Sequence, residues 1–221
     1  MLDLHNIWLF LQAFTINLRV GLLALVVGLL IGFVSATIRF RNKGATSGLT
    51  GFLIGFLRAF PVYVLMFVAV NLLASLGTFD TLSPNQAAEA ALIVALSAYT
   101  ISACSDASLT FLQYRAKGQH NQAWLVVPNI IQIYVITVIS SSVGAAIGLQ
   151  EAVTFILNLS ETLSTREDRI LLVFMAILFF AAIMGTTRLG VERVRDFAMK
   201  RQAKRKTQSL PSDTTRSENQ A

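Results

Sequence analysis

Long apolar runs separated by short polar loops dominate this sequence and leave few folds open to it. The runs fall at residues 18–38, 61–76, 87–104, 126–149 and 170–187, and each is close to the ~20 residues that carry a helix across a lipid bilayer. Backbone groups in hydrocarbon have to be satisfied within the protein, so such runs are expected to be helical. Only 14% of the residues are charged, against roughly a quarter in soluble domains. The sequence therefore predicts an all-α integral membrane protein with five transmembrane helices.

Two of these runs are preceded by further apolar residues. We interpret residues 7–14 as an interfacial lead to the first span, which places Arg19 near a membrane surface that its long side chain can reach. Residues 48–76 would form a helix of about 43 Å, which is too long for one straight span. Pro61 is therefore predicted to separate a surface helix from the span proper, with Arg58 at the break.

Capping signals mark the starts of the third and fifth spans. Ser83, Pro84 and Gln86 form a hydroxyl N-cap, a proline at the first helical position and an amide that can reach back to the cap. Thr165 followed by Asp168 places a second hydroxyl cap before an acidic first turn. Both signals predict helices that begin at these residues.

The distribution of Lys and Arg predicts the orientation of the chain. Three of the 18 follow the first span, two follow the third and nine follow the fifth, whereas none follows the second and two follow the fourth. Cytoplasmic loops carry the excess, which puts the N-terminus outside and the C-terminus inside. The net charge of +6 is then explained by basic residues on the cytoplasmic flank of the membrane, where they face anionic lipid, and does not indicate nucleic-acid binding. Residues 1–196 are predicted to form one transmembrane domain, and residues 197–221 a basic, disordered tail.

Signatures of catalysis, cofactor binding and metal binding are missing from the sequence. Cys104 is the single cysteine, and His5 and His120 lie far apart, so neither a disulfide framework nor a metal site is predicted. No Gly-x-x-x-x-Gly-Lys-Ser/Thr phosphate loop occurs, so ATP hydrolysis is not expected in this chain. The chain is predicted not to be an enzyme.

The fourth span carries many polar side chains for a membrane helix. Gln132, Ser140, Ser141 and Ser142 have to face protein or a water-lined path. Two interpretations are open: these groups only bond neighbouring helices, or they line a substrate path. We assign them to a path, together with Asp106 beyond the third span.

Glycines spaced four residues apart occur in three of the apolar segments. This spacing places small residues on one helix face and allows close backbone contact in lipid. The pairs are Gly28 and Gly32, Gly51 and Gly55, and Gly144 and Gly148. Each pair predicts a helix–helix contact.

Several short motifs, in order along the chain, resemble those of one family. Arg58-Ala59-Phe60-Pro61 resembles its Arg-Gly-Thr-Pro element, and Ser83-Pro84 resembles the start of its third span. Lys117-Gly118-Gln119 resembles the start of its coupling loop, and the stretch from Ser141 to Glu151 resembles its Ser-Ser-Leu-Ala-Ser-Val-Ile-Gly-x-x-Glu element. Glu192-Arg193 resembles the Glu-Arg pair after its last span. Over about residues 17–195 the chain resembles the permease subunits of polar amino-acid ABC importers, with the type I, five-helix core.

The coupling loop departs from the family. There the Gly-Gln pair leads into Glu-Ala-Ala, within a short coupling helix that docks into the ATPase. Here only eight residues separate Gln119 from Pro128, so the helix is expected to be truncated. The resemblance still assigns ATPase coupling to this loop, at Lys117, Gly118, Gln119, Gln122, Ala123 and Trp124.

Other family positions are also changed. The family's Lys-Asp before the Ser-Ser pair is Ile139-Ser140 here, and its arginine after the third span falls on Leu109. Asp106 takes the place of the family's glutamate when residues are counted back from Gln119. An alignment on Ala98-Tyr99 shifts that match by one helical turn.

The resemblance implies a permease subunit of an ATP-driven importer in the bacterial cytoplasmic membrane. Its implied partners are a second permease that completes an alternating-access pore, a pair of ATPase subunits and an extracytoplasmic solute-binding protein. Two alternatives are open: an uncoupled pseudo-permease, because the loop is short, or a structural membrane anchor without a substrate path. The polar groups of the fourth span favour transport over anchoring.

Overall fold

Helices account for nearly all of the residues that the computed structural model describes, which are 4–42, 44–77 and 82–208. In chain order they are α1 (Leu4–Arg41), α2 (Ala45–Ala59), α3 (Val62–Ser75), α4 (Pro84–Ala116), α5 (His120–Ala123), α6 (Val126–Ser140), a 3₁₀ segment (Ser141–Ile147), α7 (Ala152–Thr162) and α8 (Arg166–Gln208). These ranges contain no β-strand. The predicted all-α fold is confirmed.

Several of these helices are long and apolar enough to cross a membrane. They are α1, α4, α6 with the 3₁₀ segment, and α8 as far as Arg193. The α2–α3 pair passes the same test as a unit but is bent by 96°. Large apolar side chains are exposed along the outside of the bundle, as in Leu30 of α1 and Phe174 of α8. Such a surface fits lipid, and the chain is a multi-pass membrane protein.

The first helix is continuous where the sequence analysis predicted a lead and a separate span. Residues 14–18 contain neither glycine nor proline, and the polar group of Asn17 points inward, so nothing interrupts the hydrogen-bond ladder. At 38 residues, α1 is about 57 Å long. It is therefore longer than the ~30 Å hydrocarbon core and projects beyond it unless it is steeply tilted.

The last helix also continues past its predicted end. Residues 197–208, predicted to be disordered, are helical in α8. They are rich in Lys, Arg, Gln and Ala, which are strong helix formers whether or not they are buried. Residues 209–221, the rest of the predicted tail, lie outside the described residues.

The fourth span changes helix type before it ends. The α-helix α6 stops at Ser140, and the next residues follow a 3₁₀ course to Ile147, so the predicted fourth span is helical as far as Ile147 but is not of one helix type. Ser141 Oγ donates to Val138 O at 2.6 Å, and such back-bonding often distorts helices. Gly148, with φ of 80°, terminates the segment in the left-handed conformation that favours glycine.

Both predicted N-caps are present. Ser83 Oγ accepts from Gln86 N at 3.4 Å, and Ser83 N donates to Gln86 Oε1 at 3.1 Å, which completes a capping box. Thr165 Oγ1 accepts from Asp168 N at 3.2 Å. These caps begin α4 and α8 at the predicted residues.

Close packing of α1 on α4 forms the centre of the bundle. A Cβ atom on Gly28 would lie 2.5 Å from Thr100 Cβ, and one on Gly32 would lie 2.8 Å from Ser105 N. The predicted contact of this glycine pair is therefore confirmed. Gly21, which the sequence analysis did not single out, lies equally close to Val138 of α6, because a Cβ there would be 2.7 Å from Val138 Cγ2.

The other two glycine pairs do not both pack. Gly55 has nothing within 4 Å of its Cβ position, so the predicted contact of the 51/55 pair is wrong. Gly144 packs tightly against Leu92, with a Cβ-to-Cδ2 distance of 2.8 Å, but Gly148 serves the turn described above. Four-residue spacing alone does not say whether a helix faces protein or open space.

Candidate functional site

A buried polar network joins α1 to the end of the fourth span. Asn17 Nδ2 donates to Ser141 Oγ and to Glu151 Oε2, both at 2.9 Å, and Asn17 Oδ1 accepts from Ala152 N at 3.2 Å. The side chains of Asn17, Ser141 and Glu151 are fully buried. Hydrogen bonds in such surroundings are strong, and each group is costly to leave unpaired. The network fixes the 3₁₀ segment against α1.

Glu151 also begins α7. Its Oε2 accepts from Val153 N at 3.0 Å and its Oε1 from Thr154 N at 3.1 Å, so the carboxylate caps the helix. Burial raises the pKa of the Glu151 carboxyl above its ordinary value, although these bonds and the one from Asn17 oppose the shift. In the described part of the chain this carboxylate therefore joins Asn17 of α1 to the start of α7.

A cluster at the opposite end of α1 is built around Asp106 of α4. Arg39 Nη1 donates to Asp106 Oδ1 at 2.8 Å and to Ser105 Oγ at 3.3 Å. Arg58 forms an ion pair with Asp106 Oδ2 and donates from Nε to Ser102 Oγ at 3.0 Å. The cluster holds together the ends of α1 and α2 and the middle of α4.

A second ion pair joins α1 to α4 near the start of α4. Arg19 Nε donates to Glu89 Oε1 at 2.7 Å, and Glu89 is buried. Along α1, Arg19 and Arg39 are about 30 Å apart, which is the thickness of the hydrocarbon core. The two pairs are therefore spaced to lie at opposite membrane surfaces.

The segment between α4 and α6 is short and exposed. Gly118 turns the chain with φ of 71°, and α5 completes one helical turn of 4 residues. Ala123 is buried, whereas the Trp124 side chain is 65% exposed. Where the resemblance predicts a truncated coupling helix, the structure has a single helical turn followed by an exposed indole.

A cavity of about 280 Å³ lies between α4, α5 and α6. Polar groups from all three elements line it, among them Asp106, Thr110, Tyr114, Gln122 and Asn129. The structure therefore brings Asp106 to the α5 turn.

Of the residues assigned to a substrate path, the three serines of the fourth span are consecutive, but they differ in their surroundings and the structure places Asp106 and Gln132 elsewhere. Ser141 belongs to the buried network, Asp106 to the arginine cluster, and Gln132 is exposed. Ser140 is half-buried. Ser142 Oγ is buried and has no hydrogen-bond partner in the described part of the chain.

Sequence reasoning gave no site role to several residues that hold these networks. Asn17 and Glu89 are polar residues within apolar surroundings, which is the signal that marks an intramembrane contact. Ser102 and Ser105 carried no such signal, because small hydroxyl residues are common in membrane helices. Among the described residues, no group of three or more His, Cys, Asp or Glu side chains could hold a metal ion.

The bundle is thus a multi-pass membrane domain in which α1 and α4 are tied near both ends and an exposed turn links α4 to α6. Its fold is similar to that of a solved structure, described as the crystal structure of an amino acid ABC transporter with histidines. The TM-score is 0.62 at 16% sequence identity, and the alignment covers 87% of this chain and 99% of that chain. The resemblance drawn from the motifs is therefore confirmed at the level of the fold. No protein-family model matches the chain, and no curated protein matches it.

Proposed function

We propose that this chain is a permease subunit of an ATP-driven importer for polar amino acids. It forms half of an alternating-access pore, and a second permease forms the other half. The observation that supports this most is the fold shared with nearly the whole chain of an amino acid ABC transporter structure. The motifs quoted above lie in the same order as in that family, which adds a second line of support.

The α5 turn is the proposed contact with a dimer of ATPase subunits. It is exposed on the flank whose loops are rich in Lys and Arg, and Trp124 offers a large apolar anchor. The residues of this contact are Lys117, Gly118, Gln119, Gln122, Ala123 and Trp124. ATP hydrolysis is assigned to the partner.

The proposed substrate path runs beside the second half of the fourth span. Ser142 supports it, because a buried hydroxyl without a partner is a group that a polar solute or water would satisfy. Ser141 is bonded within the chain, so its contribution is to hold the wall of the path in place. We place the chain in a bacterial cytoplasmic membrane with its N-terminus outside, where a solute-binding protein would deliver the amino acid.

A second candidate is a permease-like subunit that no longer couples to ATP hydrolysis. The length of α5 favours it, since one turn offers little surface for docking. In this case the second permease would carry the coupling alone.

Transport by reconstituted complexes tests both candidates. The chain is placed in proteoliposomes with its second permease, ATPase and solute-binding protein, and uptake of labelled histidine, arginine, glutamine and glutamate is measured. The importer proposal predicts uptake of at least one of them that requires ATP hydrolysis and falls when Trp124→Ala is introduced. ATP-dependent uptake that is indifferent to Trp124→Ala supports the uncoupled candidate, and no uptake of any of the four contradicts the choice of substrate class.

A further inference from the structure

The amphipathic helix α2 carries an apolar stripe that no part of the described chain covers. Phe52 and Phe56 of α2, and Phe60 at its C-cap, are 67%, 50% and 37% exposed and follow one another at four-residue spacing. Their rings form a ladder, with centroid separations of 6.2 Å and 4.7 Å. Leu49 and Leu53 widen the stripe and are also exposed. An apolar surface of this kind is unfavourable in water and needs an occupant.

The opposite face of α2 packs on the bundle. Ile54 is buried, and Arg58 reaches from the same face to Ser102 and Asp106 of α4. Ser47 Oγ donates to the carbonyl oxygen of Arg39 at 3.4 Å. The aromatic stripe therefore points away from the bundle.

The angle between α2 and α3 sets the direction of this stripe relative to a membrane. The two helices meet at 96°, so α2 lies close to the membrane plane if α3 crosses the bilayer. With 14 residues, α3 is about 21 Å long, which is shorter than the ~30 Å hydrocarbon core. If α3 spans the membrane, the junction at Pro61 therefore lies at the level of the lipid headgroups or deeper in the bilayer. A helix in that position places its apolar face among acyl chains.

The charged side chains around α2 are predominantly basic. Residues 39–61 include four basic residues, Arg39, Arg41, Lys43 and Arg58, and no acidic residue. Asp106 of α4 pairs with both Arg39 and Arg58, which leaves an excess of positive charge. A guanidinium has five N–H donors, and the described contacts occupy two of those on Arg58. The remaining N–H groups of Arg58, on the exposed side of this cluster, can donate to the oxygen atoms of a phosphate.

We propose that α2 is an in-plane membrane helix that binds an anionic phospholipid, with acyl chains against Phe52, Phe56 and Phe60 and the phosphate at Arg58 and Arg39. The proposal does not rest on the proposed transport function, because it requires only that α3 crosses the bilayer. A lipid seated there would hold the bend between α2 and α3.

Quenching by brominated lipid tests the acyl contact. In a Trp8→Phe, Trp124→Phe background, Phe56→Trp is compared with Lys117→Trp, at the exposed polar turn after α4, in vesicles of phosphatidylglycerol and phosphatidylcholine with brominated acyl chains. The proposal predicts quenching about twofold or more stronger at position 56. Equal or weaker quenching there overturns it and indicates that protein, such as a second copy or a partner subunit, covers the stripe.

Lipid selectivity tests the headgroup contact. Native mass spectrometry of the full chain measures the phosphatidylglycerol bound relative to phosphatidylcholine. Arg58→Gln should lower this ratio about fivefold, whereas Arg58→Lys, which keeps the charge, and Arg115→Gln, at the exposed end of α4, should change it little. An unchanged ratio in Arg58→Gln, or an equal fall in Arg115→Gln, contradicts a site at Arg58. Because the quenching experiment leaves Arg58 in place, it stays decisive if Arg58→Gln does not fold.

Discussion

Asn17 and Glu151, which are 134 positions apart in the sequence, are joined by a hydrogen bond of 2.9 Å between Asn17 Nδ2 and Glu151 Oε2. Both side chains are fully buried, and the same amide bonds Ser141 and the backbone of Ala152. One residue of α1 thus holds the 3₁₀ segment and the start of α7 at once. The geometry of the proposed path depends on this residue.

Replacing Asn17 with leucine is expected to destabilise the protein by ~1–3 kcal/mol or more. The substitution preserves approximate size but leaves the Ser141 hydroxyl, the Glu151 carboxylate and the Ala152 N–H each short of a partner in a buried site. Thermal unfolding in detergent measures the change. Gln12→Leu is the matched control, since Gln12 is an exposed amide on the same helix. An Asn17→Leu protein as stable as the Gln12→Leu protein would mean that the network contributes little.

Alanine at Gly28 should cost stability, whereas alanine at Gly55 should not. A Cβ at position 28 would overlap Thr100 at 2.5 Å and force α1 away from α4, at a cost of about 1–3 kcal/mol. A Cβ at position 55 meets nothing within 4 Å, so the better helix propensity of alanine should leave stability equal or about 0.5–1 kcal/mol higher. Both variants can be followed by the same unfolding assay. Equal effects would show that α1 and α4 tolerate separation at this crossing.

Thiol labelling in intact cells tests the orientation inferred from the basic loops. In a Cys104→Ala background, cysteine at the exposed position Glu161 should react with an impermeant maleimide, and cysteine at the exposed position Lys117 should react only after lysis. Detection uses a fluorescent maleimide on the purified protein. The reverse pattern would place the α5 turn outside and remove it as a candidate for ATPase coupling.

Removing the hydroxyl of Ser142 should lower uptake without loss of stability. Its Oγ is buried without a partner in the described part of the chain, so Ser142→Ala gives up no internal hydrogen bond. If the hydroxyl contacts the solute, the KM for uptake should rise by about fivefold or more, which corresponds to ~1 kcal/mol. Ser160→Ala, at a half-buried hydroxyl of α7 that bonds only its own helix at Leu157 O, is the control. Unchanged uptake kinetics in Ser142→Ala would place the path elsewhere.

The parts of the fold that sequence reasoning predicts well are those fixed by local physics. The apolar runs predict helices, and the caps at Ser83 and Thr165 predict where two of them begin. Neither depends on which helices become neighbours.

Contacts between distant segments were predicted less well. Asp106 was grouped with the serines of the fourth span, but two arginines from α1 and α2 hold it at the α5 turn instead. The periodicity of apolar residues does not show which helices become neighbours. The partner of a single acidic residue in an apolar run therefore cannot be predicted before the packing of the helices is known. The same reason explains why Gly28 packs on α4 while Gly55 faces open space.

Co-purification of the ATPase with Trp124→Ala tests the central claim most directly. Both tryptophans are exposed, Trp124 by 65% and Trp8 by 60%, so Trp8→Ala controls for the loss of an exposed indole as such. If Trp124 anchors the ATPase, its removal should cost about 2 kcal/mol or more and reduce recovery of the ATPase tens of fold, while Trp8→Ala leaves recovery at the wild-type level. Equal recovery with Trp124→Ala and the wild type, in the same detergent, would contradict coupling through this turn.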